Sequence, residues 1–225
     1  MPSGKLYVVA TPIGNLGDLS QRAISTLAAA DLILAEDTRS ARRLLTHLGL
    51  SKPVQSLFGE NEKAKTGHLA ELLMRGQTLV LVSEAGTPAV SDPGQHLVHA
   101  ALEAQILVVP IPGPSAVTAA LSVSGLPSVP SLFLGFLPKK RGKRRKILVR
   151  VKDSGATLVI FAGPHDVLKV MEDILTVLGN RDATLCRELT KMFEEVRTAP
   201  LADLIGLLKA RDEIRGEITL VVAPA

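Results

Sequence analysis

Leu79-Val80-Leu81-Val82 is an unbroken apolar run that gives way at once to Ser83-Glu84-Ala85-Gly86-Thr87-Pro88. A run without polar alternation does not suit a sheet with one wet face. It predicts a strand buried on both sides, as in a parallel sheet covered by helices. Small residues immediately after such a strand let a ligand approach the backbone closely. A second turn, Ser91-Asp92-Pro93-Gly94, opens a helix expected to begin near Gln95. Three more apolar runs end in the same way. Leu6 to Ala10 leads into Thr11 to Gly17, Leu32 to Ala35 into Glu36 to Arg39, and Ile106 to Val109 into Pro110 to Ser115. Strands that alternate with helices imply βαβ units, which place all four loops on one edge of a parallel sheet, where open α/β folds bind ligands.

The intervening segments read as helices. Leu19 to Ala30 presents Leu19, Ala23, Ile24 and Leu27 on one face, with Asp18 or Ser20 as its N-cap. Val54 to Leu57 reads as a further strand. Gly125 to Ser131 carries two prolines and resists both helix and strand, so it marks a boundary between domains 1–124 and 125–225. Beyond it, strands are expected at Leu132 to Phe136, Thr157 to Phe161, Ala183 to Cys186 and Ile218 to Val222. Helices carry Val167, Leu168, Met171, Ile174, Leu175 and Leu178, and then Leu201, Leu204, Ile205 and Leu208.

Composition narrows the chemistry. Apolar residues at 46% support a sizeable core, while aromatics at 3% and the absence of Trp argue against nucleic-acid binding by rows of stacked rings. The single cysteine, Cys186, fits a core position in a reducing compartment. No signal segment follows Met1 and no apolar run is long enough for a membrane span, so a cytoplasmic protein without membrane contact is expected. His96 and His99 share a helix without a third ligand, so no metal is expected. The dinucleotide fingerprint and the Walker phosphate loop are both missing. Lys139, Lys140, Arg141, Lys143, Arg144, Arg145 and Lys146 place seven cations in eight positions, more than the net charge of +4, with no acid among them. That run reads as a loop entering a helix and is a candidate contact for a polyanion.

Taken in order, Tyr7 to Asp18, Ala35-Glu36-Asp37-Thr38-Arg39, Ser83 to Pro88 and Pro112-Gly113-Pro114-Ser115-Ala116 resemble the motifs of the tetrapyrrole-methylase superfamily. Gly135-Phe136-Leu137-Pro138, Arg187-Glu188-Leu189-Thr190-Lys191 and Arg215-Gly216-Glu217-Ile218 are similar to its ribosomal small-subunit RNA (cytidine-2′-O)-methyltransferase branch, and the resemblance runs through essentially the whole chain. It implies an α/β fold of two α/β/α domains with S-adenosylmethionine in the cleft between them. It also implies a homodimer acting on small-subunit ribosomal RNA or the 30S subunit. By position, Pro12, Ala85, Gly86, Thr87, Val90, Ser115 and Ala116 should lie at the cofactor, joined by Ala162 and Thr190 of the second domain. Glu36, Asp37, Arg39, Arg187, Glu188 and Lys191 are the candidates for catalysis, and the sequence alone does not choose among them. A tetrapyrrole methylase and a non-catalytic RNA-binding member of the fold are the alternatives. Three departures stand out. Glu84 replaces the usual aspartate, Phe161 to Asp166 lacks the usual glutamate and arginine, and the chain ends at Ala225 where relatives often continue into a helical extension.

Overall fold

The computed structural model describes residues 4–225, and the chain divides after Ser115 into two units. Each is built on its own five-stranded sheet. In the first unit β1 (Lys5–Val9), β2 (Leu32–Ala35), β3 (Val54–Ser56), β4 (Thr78–Val82) and β5 (Leu107–Ile111) are all parallel, in the order β3-β2-β4-β1-β5. The apolar run Leu79 to Val82 is central here, hydrogen-bonded to β2 on one side and β1 on the other. Its alternate residues serve opposite cores. Val80 and Val82 pack with Ala23 and Leu27 of α1 (Gln21–Ala29) and Ala41 and Leu45 of α2 (Thr38–His47). Leu79 and Leu81 pack with Leu69 and Leu73 of α3 (Gly59–Met74) and Leu97 and Ala101 of α4 (Gln95–Glu103). The adjacent strands β1 and β4 therefore send their outgoing helices to opposite faces, which makes the gap between them the topological switch point of the sheet.

The second unit begins with α5 (Ala116–Val123) and has β6 (Ser131–Phe136), β7 (Thr157–Ala162), β8 (Asp182–Arg187), β9 (Glu195–Pro200) and β10 (Ile218–Val222). The order is β6-β7-β10-β8-β9, with β6 and β7 parallel and the other pairs antiparallel. One face is covered by α6 (Arg141–Val151), α7 (Val167–Leu178) and α8 (Leu201–Lys209) over Leu158, Ile160, Leu185, Leu220 and Val222. Ala120 of α5 meets Cys186 and Val221 on the other face, where burial pushes the Cys186 thiol up to about 11.

The division after Ser115 falls ahead of the expected break at Gly125, because α5 packs on β10 of the second sheet. Helix α1 starts at Gln21, two residues later than expected; Ser20 accepts a hydrogen bond from the Ala23 N–H, while Asp18 lies in a short 3₁₀ turn. The basic run enters a helix as expected: Lys139 and Lys140 lie in the loop, and the helix begins at Arg141. Strand β9 has no counterpart in the sequence pattern, since Glu195-Val196-Arg197-Thr198-Ala199-Pro200 has neither apolar run nor clean alternation; it is an edge strand held by β8 alone.

Candidate active site

The four small-residue loops leave β1, β2, β4 and β5 at their carboxyl ends, on one edge of the first sheet. Thr11 and Gly86 tie the first and third of them together across the switch point. The Thr11 N–H donates to the Gly86 carbonyl at 2.8 Å, and the Gly86 N–H to the Thr11 carbonyl at 3.0 Å. The Thr11 hydroxyl donates to the Ser83 carbonyl at 3.2 Å, and Ser83 Oγ to the Gly86 carbonyl at 3.2 Å. Gly86 has φ +81°, a region L side chains rarely adopt, whereas a Cβ there would make only ordinary contacts, with Ile13 Cγ2 at 3.4 Å and the Pro114 carbonyl oxygen at 3.8 Å. Conformation rather than space dictates glycine at this turn. Ala89 and Ser91 also have positive φ, so the connection from Ser83 to Gly94 holds two non-glycine residues in a costly conformation. Its far end is fixed from α3: the buried Glu62 carboxylate accepts the N–H groups of Gly94, His96 and Leu97 at 3.0, 2.7 and 3.3 Å. A cavity of about 200 Å³ opens beside these loops, lined by Thr11, Pro12, Leu16, Arg43, Ser83 and Glu84 among others. Ala85 and Thr87 are half-buried and Val90 is exposed on the same connection; Ser115 and Ala116 close the β5 loop.

Four carboxylates, Glu36, Asp37, Glu84 and Asp92, gather at this edge. Burial, then the charges of Glu84 and Asp37, raise the Glu36 pKa. Burial, then the charges of Glu36 and Glu84, push Asp92 up to about 6 against a hydrogen bond from Ser83. Asp37 behaves differently. It caps α2, accepting the Arg39 N–H at 2.7 Å, and that bond chiefly lowers its pKa. Arg39 pairs loosely with Asp37 at 3.5 Å and points into solvent. Sequence reasoning assigned no chemistry to Asp92 or Glu84. The missing signal was strand order, which seats β2 beside β4 and so brings their outgoing loops together.

At the corresponding edge of the second sheet the charges are matched. Lys191 Nζ lies 2.9 Å from Glu188 and 3.0 Å from Glu217, and the Glu217 N–H donates to Glu188 at 2.8 Å. Burial opposes the charge on both Glu188 and Lys191, yet these hydrogen bonds outweigh it, lowering the first pKa and raising the second. Glu195 is bound by Arg211 at 2.5 Å and Arg187 at 3.0 Å; the Arg211 bond, with that of Arg187, holds its pKa low against burial. The Thr190 N–H donates to Glu194, while Thr190 Oγ1 is buried without a hydrogen-bond partner among the described residues. Ala162, buried at the end of β7, offers only main-chain groups.

The basic run splits into two populations. Asp173, buried on α7, binds Arg141 at 3.1 Å, Arg144 at 2.5 Å and Arg145 at 2.6 Å. Despite burial, the hydrogen bonds from Arg145, Arg144 and Arg141 keep the Asp173 pKa low. Arg144 is only 3% exposed and also donates to the Pro138 and Lys139 carbonyls, so it is a structural cation. Lys139, Lys140, Lys143 and Lys146 are exposed and make no ion pair among the described residues. Among those residues no group of His, Cys, Asp and Glu is arranged to hold a metal ion, and no helix is long and apolar enough to cross a membrane.

A sequence profile of the Tetrapyrrole (Corrin/Porphyrin) Methylases matches residues 5–205. The Ribosomal RNA small subunit methyltransferase I of Vibrio cholerae serotype O1 is 45% identical over 99% of this chain and 78% of its own length. The protein of the same description from Mesorhizobium japonicum is 47% identical over 98% of this chain and 75% of its own. Solved structures share the fold at lower identity. A uroporphyrin-III-C-methyltransferase from Thermus thermophilus has TM-score 0.66 and 22% identity, covering 98% of this chain and 94% of that one. A diphthine synthase has TM-score 0.73 and 17% identity, covering 98% and 90%.

Proposed function

Since the chain belongs to the tetrapyrrole (corrin/porphyrin) methylase family, we propose that it is a methyltransferase that uses S-adenosylmethionine to methylate a cytidine 2′-oxygen in small-subunit ribosomal RNA. The observation that carries this reading is the 45% identity over 99% of the chain to a ribosomal RNA small subunit methyltransferase, which leaves neither unit out. The first unit offers the cofactor Pro12, Ala85, Gly86, Thr87, Val90, Ser115 and Ala116. Turns such as these present backbone N–H and C=O groups without a formal charge. The second unit offers Ala162 and Thr190. The residues fit such a ligand in one respect above others: the Thr190 hydroxyl is buried and unsatisfied, and a hydrogen-bonding group would satisfy it. When bound, the cofactor supplies a methyl group on a sulfonium.

The chain must align the ribose hydroxyl with that group and take its proton. Alignment can supply roughly 7–11 kcal/mol of the barrier. The proton, in this reading, passes from the hydroxyl oxygen to one of two carboxylates, Glu36 or Asp92; burial and neighbouring charges raise both pKa values, that of Asp92 to about 6, which suits a base working near neutrality. Arg187, Glu188 and Lys191 hold their loop, and Asp37 holds the start of α2. The enzyme is proposed to act in the cytoplasm as a homodimer, for which light scattering at micromolar concentration should give twice the chain mass. The deciding experiment offers labelled S-adenosylmethionine with small ribosomal subunits in one arm and tetrapyrroles in the other. Label in the ribose of a ribosomal cytidine is expected. Label in the tetrapyrrole, or cofactor binding without transfer to either, overturns the assignment.

A further inference from the structure

Phenylalanine is scarce here, with five in the chain, and four of them lie in the second unit. Two of those four expose most of their surface at the same edge of the second sheet. Phe136, the last residue of β6, is 66% exposed, and Phe193, in the β8–β9 connection beside the exposed Met192, is 69% exposed. Phe136 is held in place rather than dangling. Its ring meets Phe161 edge-on at 5.5 Å, and Phe161 meets Phe133 edge-on at 4.8 Å. Leu132, Leu134, Leu158 and Ile160 of the same strands serve the core under α6, α7 and α8. Phe133 and Phe161 alternate with them and so belong to the opposite face, which α5 covers over β8 and β10. Lys139 and Lys140 follow Phe136 within four residues, and Lys143 and Lys146 lie on the first turns of α6, all four exposed and unpaired among the described residues.

We propose that this edge is a stacking platform for unpaired bases of the RNA substrate. Phe136 and Phe193 would each take a base, and Lys139, Lys140, Lys143 and Lys146 the adjoining phosphates. The inference rests on the ribosomal RNA reading above and adds the mode of recognition. Its logic is chemical. A nucleotide joins a flat apolar ring to an anion, and single-stranded RNA is recognised by stacking on exposed aromatics beside a cationic groove. An apolar protein partner would use the rings but leave four lysines unmatched. The ends of β6 and β8 stand three strand spacings apart, about 14 Å. That is too far for one base and within reach of a short strand.

The chain contains no tryptophan, so Phe136→Trp and Phe193→Trp, made singly in the full chain, each place one fluorophore at the proposed contact. The probes are a single-stranded oligoribonucleotide of small-subunit sequence and its duplex. Quenching by the single strand, with little change for the duplex, is expected at both sites. Phe136→Leu with Phe193→Leu should weaken single-strand binding at least tenfold without altering its salt dependence. Exchanging the four lysines for Gln should instead flatten the slope of log K against log salt by roughly 0.7 for every phosphate no longer neutralised. If the double leucine variant fails to fold, Phe193→Leu alone decides, since the Phe193 ring meets no other ring among the described residues. Unchanged emission and unchanged affinity in a chain that binds and methylates RNA would overturn the platform while leaving the proposed function intact. A parent chain that binds no RNA removes both. Leucine variants that become monomeric with RNA affinity intact would show the rings to be an interface between copies, which also overturns the platform.

Discussion

The carboxyl edge of the first sheet and the corresponding edge of the second are built on opposite electrostatic plans. At the first, loops are fixed by backbone hydrogen bonds such as Thr11 to Gly86, and burial, with the charges of neighbouring acids, makes Glu36 and Asp92 hold their protons more tightly than ordinary carboxylates. At the second, loops are fixed by ion pairs, and Glu188 and Glu195 give up their protons more readily than usual. Both kinds of perturbation occur in folded proteins, but only the first leaves a group able to accept and release a proton near neutral pH.

The largest expected effect tests that difference directly. Asp92→Asn and Glu36→Gln should each lower the methyl-transfer rate by about 10²- to 10⁴-fold, the range for loss of a positioned base, measured in single turnover at pH 7. In the parent, the rate should climb as pH rises through about 6, where Asp92 ionises. Removing the Glu36 charge should shift any remaining limb to lower pH. A flat profile in the parent would break the comparison.

Next comes Asp173→Ala. It strands the buried Arg144 without its counter-ion and should cost about 3–5 kcal/mol in denaturant unfolding. Glu195→Gln should cost less, about 1–3 kcal/mol, as Arg187 and Arg211 lose a charged acceptor, with the rate per folded molecule preserved. The sign follows from its depressed folded pKa: its contribution is present above the unfolded value of about 4.5 and lost as pH falls through the folded one. Asp92 has the reverse sign. Its raised folded pKa makes its contribution complete below the unfolded value and lost as pH rises through about 6. Asp92→Asn should therefore gain stability at pH 7, by about 1 kcal/mol once solvent screening is allowed for. That is the smallest effect, and a loss instead would make Asp92 structural.

Most of the first unit was legible because Leu79 to Val82 and its companions can be satisfied in few ways. Strands β2 and β10 were placed to the residue. What stayed hidden depended on neighbours remote in the chain. Asp92 gains its character from loops that only strand order brings together, and Arg144 is buried by an aspartate 29 residues away. One signal was available: Asp173 adjoins Ile174 on an otherwise apolar helix face, and a carboxylate there demands a partner. Strand β9 carried no such signal, since its edge position leaves it free to be polar.

The Glu62 carboxylate accepts three amides at the start of α4 from a helix over thirty residues earlier. Those amides cannot be released one at a time. When the carboxylate leaves, Gly94, His96 and Leu97 lose their acceptor together, and the connection reaching back to Ser83 loses its anchor. Exchange of these three amide hydrogens with solvent should then report a single cooperative opening shared by α3 and α4. Its free energy sets how often the costly backbone at Ala89 and Ser91 can relax. Occupancy of the neighbouring site should slow all three exchange rates by a common factor. That gives a measure of ligand affinity that needs no catalytic turnover.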